Sequence, residues 1–192
     1  PHEIYFTGSG SESDNTALKG FAYANKEKGN HIITSKIEHH AILETCETLE
    51  RQGFEVSYID VDESGRIKID ELKKAITPST ILISIMTANN EIGTIQPIEE
   101  IAKIAHAQNI VFHTDSVQAI GNMPLDVEKM RIDMLSVSGH KINAPKGIGA
   151  LYIKNGVEVE KYINGGHQER DKRAGTENVA GIVGLGKACE LA

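Results

Sequence analysis

The sequence has no tryptophan, only two cysteines and only five prolines in 192 residues, and its 20 Lys+Arg are outnumbered by 27 Asp+Glu. Cys46 and Cys189 lie far apart with no Cys-x-x-Cys or Cys/His spacing, so neither a zinc site nor a disulfide framework is indicated, and no metal is expected. Such sparse cysteine suits a reducing, cytoplasmic setting. The formal net charge of −7 and the lack of a basic stripe argue against nucleic-acid binding, because such surfaces neutralise phosphates with clustered Lys and Arg. The longest apolar runs, such as Ile81 to Met86, fall far short of the roughly 20 residues that cross a bilayer, so no membrane partner is expected. Pro1-His2-Glu3 leads straight into an apolar run with no initiator Met, charged n-region or signal peptide, and we expect both ends to be cut from something longer.

What is present is the balance of one soluble domain over residues 1–192, with 40% hydrophobic and 24% charged residues. Short β-rich runs recur at Ile4 to Phe6, His31 to Thr34, Val56 to Ile59, Ile81 to Ile85, Ile110 to Phe112, Met134 to Val137 and Ala150 to Ile153. Between them lie amphipathic stretches at helical spacing: Asn15 to Lys28 closed by Gly29, Ala41 to Gln52 closed by Gly53, and Ile98 to Gln108. This alternation predicts an α/β fold with a mainly parallel sheet covered on both faces. Ala88 to Pro97 and Asn164 to Asn178 fit neither period. They read as polar, glycine-bearing loops of a length that more often carries function than mere connection.

Thr7-Gly8-Ser9-Gly10-Ser11 joins a strand to a helix. Small residues there let backbone N–H groups approach an anion at the positive end of the helix dipole, but the same letters also describe a capped helix start with Ser11 or Ser13 as N-cap. Asp115 follows the apolar run at 110–112 and so belongs at the carboxyl edge of the sheet, where open α/β folds bind ligands. It is either the cap of a helix beginning near Val117 or a partner for a protonated ring nitrogen. Lys141, after Ser138-Gly139-His140, also follows a strand; partial desolvation there would lower its pKa and free the amine for Schiff-base chemistry. Adjacent His39 and His40 cannot share a metal from one helix, so one faces a site, suited to stacking on a planar ring and moving protons, and the other faces solvent.

Ser-Glu-Ser-Asp-Asn at 11–15, Glu-His-His-Ala at 38–41, Asn-Asn-Glu-Ile-Gly at 89–93, Asp-Ser-Val-Gln-Ala at 115–119, Ser-Gly-His-Lys at 138–141 and Arg-Ala-Gly-Thr-Glu-Asn at 173–178 stand in register across the whole chain. Together they resemble cysteine desulfurases of the NifS/IscS type, within the class V aminotransferases. The resemblance implies a three-layer α/β/α fold with a mixed, mainly parallel seven-stranded sheet, like the large domain of pyridoxal-phosphate enzymes of the aspartate aminotransferase fold type I. It implies that Lys141 carries pyridoxal 5′-phosphate as a Schiff base, that Asp115 pairs with the pyridine nitrogen, and that His39 stacks on the ring and assists proton transfer. Asn90 and Gln118 would hydrogen-bond the phenolic oxygen. Gly10, Ser11, Ser138 and His140 would hold the phosphate, and Thr176 the phosphate of the neighbouring subunit in a homodimer.

The implied reaction turns L-cysteine into L-alanine. Its sulfur passes through an enzyme persulfide to an iron–sulfur scaffold or another acceptor such as the tRNA-thiolation machinery. The family's catalytic cysteine and substrate-binding arginine have no counterpart here, so the chain is expected to be inactive alone, and Gly165-Gly166-His167 stands where the family shows three glycines. A selenocysteine lyase, a small-amino-acid aminotransferase and a non-catalytic interaction module are the alternative readings.

Overall fold

The structure is a computed structural model that describes residues 2–192. Its centre is a seven-stranded sheet in the order β1-β7-β6-β5-β4-β2-β3. In chain order the strands are β1 (Ile4–Thr7), β2 (His31–Ser35), β3 (Glu55–Ile59), β4 (Thr80–Ser84), β5 (Val111–Asp115), β6 (Met134–Ser138) and β7 (Gly149–Ile153). β7 runs antiparallel to both its neighbours, β1 and β6; the pairings among the other strands are parallel. The carboxyl ends of β1, β2, β4, β5 and β6 therefore share one edge, and the amino end of β7 lies there too.

Alternation along the strands sorts the core into two layers. Ile33, Ile83, Phe112 and Leu135 pack on one face with helices α4 (Ile69–Ala75), α5 (Ile98–Ala107) and, beyond the one-turn α6 (Gln168–Asp171), α7 (Val179–Leu191), through Leu72, Ile101 and Leu185. Ile32, Leu82, Met134 and Leu151 pack on the other with α2 (Phe21–Ala24) and α3 (His40–Glu50), through Phe21, Ile42, Cys46 and Leu49. Every residue of β2, β4, β6 and β7 is buried, as central strands of a two-faced sheet must be. Each fully buried Ile or Leu contributes about 1.5–3 kcal/mol relative to exposure.

The first helix departs from the sequence expectation. It starts at Gly10 as α1 (Gly10–Asn15), passes through a π-helical turn at Thr16–Gly20 and ends with α2 at Ala24. Its cap is neither Ser11 nor Ser13 but Ser9, which takes an extended backbone (φ −172°, ψ 169°) and accepts from the Glu12 N–H at 3.1 Å. Ser13 is unavailable for capping because it is buried against β7, donating to the Ala150 carbonyl at 3.0 Å and 2.7 Å from the Thr7 hydroxyl. No helix begins at Val117. Residues 117–122 form hydrogen-bonded turns that close on Ser116 and Ala119, and the chain then needs a positive φ of 75° at Gly121.

Candidate functional site

Loops at the carboxyl edge surround a cavity of about 280 Å³. Gly10 and Ser11 reach it from the start of α1; His39 and Asn90 from the segments after β2 and β4; Asp115, Val117 and Gln118 from the end of β5; and Ser138, His140 and Lys141 from the end of β6. Ser9, Asp14 and Met86 complete the lining. Thr176 is the candidate that the fold does not bring in: it stands exposed on the 164–178 loop. That loop is nevertheless docked beside the cavity, because Arg173 donates to both Glu12 carboxylate oxygens at 2.8 and 3.2 Å while Glu12 also accepts from the Gly8 N–H at 2.8 Å.

Close packing forms the anion-sized end of the cavity. A Cβ on Gly10 would lie 2.8 Å from the Val117 side chain and 3.1 Å from the Ser138 Cβ, so only glycine lets α1 start this near β6. A Cβ on Gly139 would meet the Ile148 side chain at 2.9 Å and its carbonyl at 3.0 Å, and the next two residues, His140 and Lys141, are exposed. Ser138 and His140 share a hydrogen bond of 2.9 Å through Oγ and Nδ1.

The rim and the floor differ in exposure. His39, Asn90, His140 and Lys141 are exposed. For Lys141 this corrects the expected partial desolvation: the lysine lies in a short 3-10 turn, Gly139–Ile142, directly after β6 and projects at the open mouth of the cavity. It takes part in no ion pair among the described residues. His39 caps α3, its Nδ1 accepting from the Ala41 N–H at 3.0 Å, so in the neutral ring the proton sits on Nε2. His40 does not line the cavity.

Asp115 is 5% exposed, and its Oδ1 accepts from the Val117 N–H at 2.8 Å. Burial pushes its carboxyl up, while that N–H and the neighbouring His39 and Lys141 pull it back toward the ionised form. It therefore both caps the turn at Val117 and faces the cavity, so the two readings of this residue do not exclude each other.

Three further groups in this region were given no role from the sequence. Asp14, 1% exposed, is pushed well above the carboxylate range by burial and then by Asp115, with the Ser136 hydroxyl acting the other way; its Oδ1 has no hydrogen-bond partner. Glu38, 5% exposed, is pushed up to about 8 by burial; it accepts from the Ser35 hydroxyl at 2.6 Å and the Met86 N–H at 3.0 Å, tying the end of β2 to that of β4. His113 is fully buried between Ser84 (2.8 Å at Nδ1) and Ser136 (3.0 Å at Nε2), and burial pushes its ring down to about 3. His113 is a polar residue closing an apolar run, while Asp14 and Glu38 stand inside polar motifs in which neighbouring residues drew the assignments. No cluster of three or more His, Cys, Asp or Glu arranged to hold a metal occurs among the described residues. No helix among them is long and apolar enough to cross a membrane.

Comparison with known proteins places this geometry. The model of the aminotransferase class-V family matches residues 1–192. A cysteine desulfurase IscS from Clostridium botulinum is 63% identical over 191 residues, covering 100% of this chain and 48% of that protein. A solved NifS-like protein superposes with a TM-score of 0.97 at 46% identity, covering 100% of this chain and 53% of the other. A solved structure described as SspA in complex with cysteine gives a TM-score of 0.95 at 48% identity over 99% of this chain and 55% of the other. The chain thus spans about half the length of the curated relatives it matches.

Proposed function

Because the chain belongs to the aminotransferase class-V family, we propose that residues 1–192 form the pyridoxal-phosphate-holding domain of a cysteine desulfurase. The observation that carries this reading is the meeting of the Lys141 amine, the Asp115 carboxylate and the Gly10–Ser11 helix start in one cavity. The residues fit the cofactor chemically. A glycine-opened helix start with serines on both sides suits a phosphate, a buried carboxylate suits a protonated ring nitrogen, and an amine free of ion pairs suits covalent attachment.

In this reading Lys141 would hold the cofactor through its amine, and Asp115 would hold the proton of the pyridine nitrogen. Asn90 and Gln118 would donate to the phenolic oxygen. Gly10, Ser11, Ser138 and His140 would hold the phosphate, with Thr176 serving the partner's phosphate in a homodimer. The bound cofactor supplies an electron sink for charge formed at the Cα of an amino acid. Lys141 Nζ then holds or moves the Cα proton. His39, with its proton on Nε2, is set to donate while its Nδ1 stays committed to the α3 cap.

The substrate proposed is L-cysteine, with alanine as the product. Its C–S bond breaks and the sulfur passes to a protein thiolate, from which an iron–sulfur scaffold or another acceptor takes it in the cytoplasm. The relatives' names, IscS and a protein described in complex with cysteine, support that choice. Neither cysteine of this chain suits the thiolate role. Cys46 is fully buried in the core with its thiol pushed up by burial, Cys189 sits on α7, and neither lines the cavity. The thiolate is therefore assigned to residues other than these.

Absorbance spectroscopy tests the reading. With pyridoxal phosphate bound, L-cysteine should perturb the cofactor band while L-aspartate leaves it unchanged. Equal responses to both, or none to cysteine, would contradict a desulfurase.

A further inference from the structure

Asp14 Oδ1 is the one buried side-chain polar atom with no hydrogen bond among the described residues, the nearby Ser136 hydroxyl being engaged by His113 Nε2 at 3.0 Å, and Asp14 lines the cavity. An unpaired buried carboxylate oxygen is destabilising, far more so charged than neutral, unless something enters to satisfy it. His113 is not that partner. Its Nε2 lies 3.9 Å from Asp14 Oδ1, too far for a hydrogen bond, and both ring nitrogens are already engaged by serine hydroxyls. The remaining charged and titratable groups around the pair are Asp115 on β5, Glu38 and His39 after β2, and Lys141 after β6. His39 and Lys141 bear on Asp115, whereas Asp14 meets Asp115 and Glu38. Two buried carboxylates lining one cavity, as Asp14 and Asp115 do, do not both ionise readily.

Resting on the cofactor reading above, we propose that Asp14 is a positioning residue: a neutral carboxylic acid whose Oδ1 accepts a hydrogen bond from a donor inside the cavity, leaving Asp115 to carry the floor's negative charge alone. The arrangement divides the work between two side chains of one type. Asp115 supplies the charge that a protonated ring nitrogen needs. Asp14 supplies a polar contact without a competing charge that would draw a proton onto Asp115.

Two measurements on the full chain test this. The first needs no cofactor: infrared spectra at neutral pH of protein carrying carbon-13 at the aspartate side-chain carboxyl should show an isotope-shifted stretch of a protonated acid. It should be present in wild type and in Asp115→Asn, and absent from Asp14→Asn. If all aspartates absorb as carboxylates, or if the band disappears in Asp115→Asn instead, the assignment is overturned. The labelled wild type alone decides the charge state should a variant fail to fold. The second uses pyridoxal phosphate as the probe. Asp14→Asn, which keeps an acceptor and no charge, should hold it within about threefold of wild type, while Asp14→Leu should bind it about tenfold more weakly, the loss of one buried hydrogen bond. Equal binding by wild type and Asp14→Leu would sink the inference, whereas failure of wild type to bind would sink the cofactor reading and leave the infrared result to judge Asp14.

Discussion

The cavity's floor and its rim are made of the same kinds of residue under opposite conditions. Asp14 and Asp115 on the floor, and His113 packed behind Asp14, are at most 5% exposed, while His39, Asn90, His140 and Lys141 on the rim face solvent. A buried polar group is tied to the fold, because its partners lose their hydrogen bonds with it. A rim group is tied to little, so it is free to engage a ligand. The floor should therefore govern charge, pH dependence and stability together, and the rim should govern ligand capture with little effect on stability.

The sharpest separation is expected at Asp115. In Asp115→Asn the Val117 N–H keeps an acceptor, so the fold and cofactor capture should persist while exchange of the amino-acid Cα proton falls by orders of magnitude, as loss of ring-nitrogen protonation demands. Proton exchange in heavy water, followed by NMR, measures it. Unchanged exchange would reduce Asp115 to a cap.

Stability separates the regions next. His113→Ala strands the Ser84 and Ser136 hydroxyls and opens a cavity beneath the site, and should be destabilising by about 3 kcal/mol, whereas Lys141→Ala should stay within about 0.5 kcal/mol. Denaturant titration compares them, and a larger loss for Lys141→Ala would break the contrast.

Glu38 gives the floor a pH signature. In the native state its carboxyl keeps its proton up to about 8, whereas the unfolded chain releases it near the ordinary 4.5. Raising the pH through that window draws protons off the unfolded state first and so lowers stability. Glu38→Gln removes the effect, and its stability relative to wild type should grow by about 2 kcal/mol between about pH 5.5 and pH 7. A flat difference in melting profiles across that range would mean that Glu38 is ionised in the fold.

The smallest effect concerns the tether between loop and floor. Arg173→Met removes the fork onto Glu12, whose partners are 23% and 15% exposed, and should be destabilising by about 1 kcal/mol. Faster hydrogen exchange confined to residues 164–178 would accompany it; uniform exchange across the chain would deny the loop a separate anchorage.

The residues around the cavity also differed in how legible they were. His39, Asp115 and Lys141 could be singled out because each follows an apolar run, and a parallel sheet collects such positions at one edge, whereas Asn90, Ser138 and His140 came from the family resemblance alone. Asp14, Glu38 and His113 were not singled out, since their importance comes from neighbours far along the chain, such as Ser136 for His113 and Met86 for Glu38. The β-rich runs gave all seven strands to within a few residues. Helix α4 went unmarked because Leu72 is its only buried residue and leaves almost no periodic signal. The early start of α1 was hidden because Ser9, Ser11 and Ser13 look equally able to cap, and only the burial of Ser13 against β7 breaks the tie. The exposure of Lys141 was missed for a related reason: the strand before it is buried, but the 3-10 turn at Gly139 carries the chain out of the core within three residues.

What Lys141 carries decides whether this domain holds the cofactor. Borohydride reduction of the protein with bound pyridoxal phosphate, followed by peptide mapping, should place a phosphopyridoxyl group on Lys141 and leave the Lys141→Ala variant unlabelled. Stoichiometric label on any other lysine, or labelling of the variant equal to wild type, would contradict it.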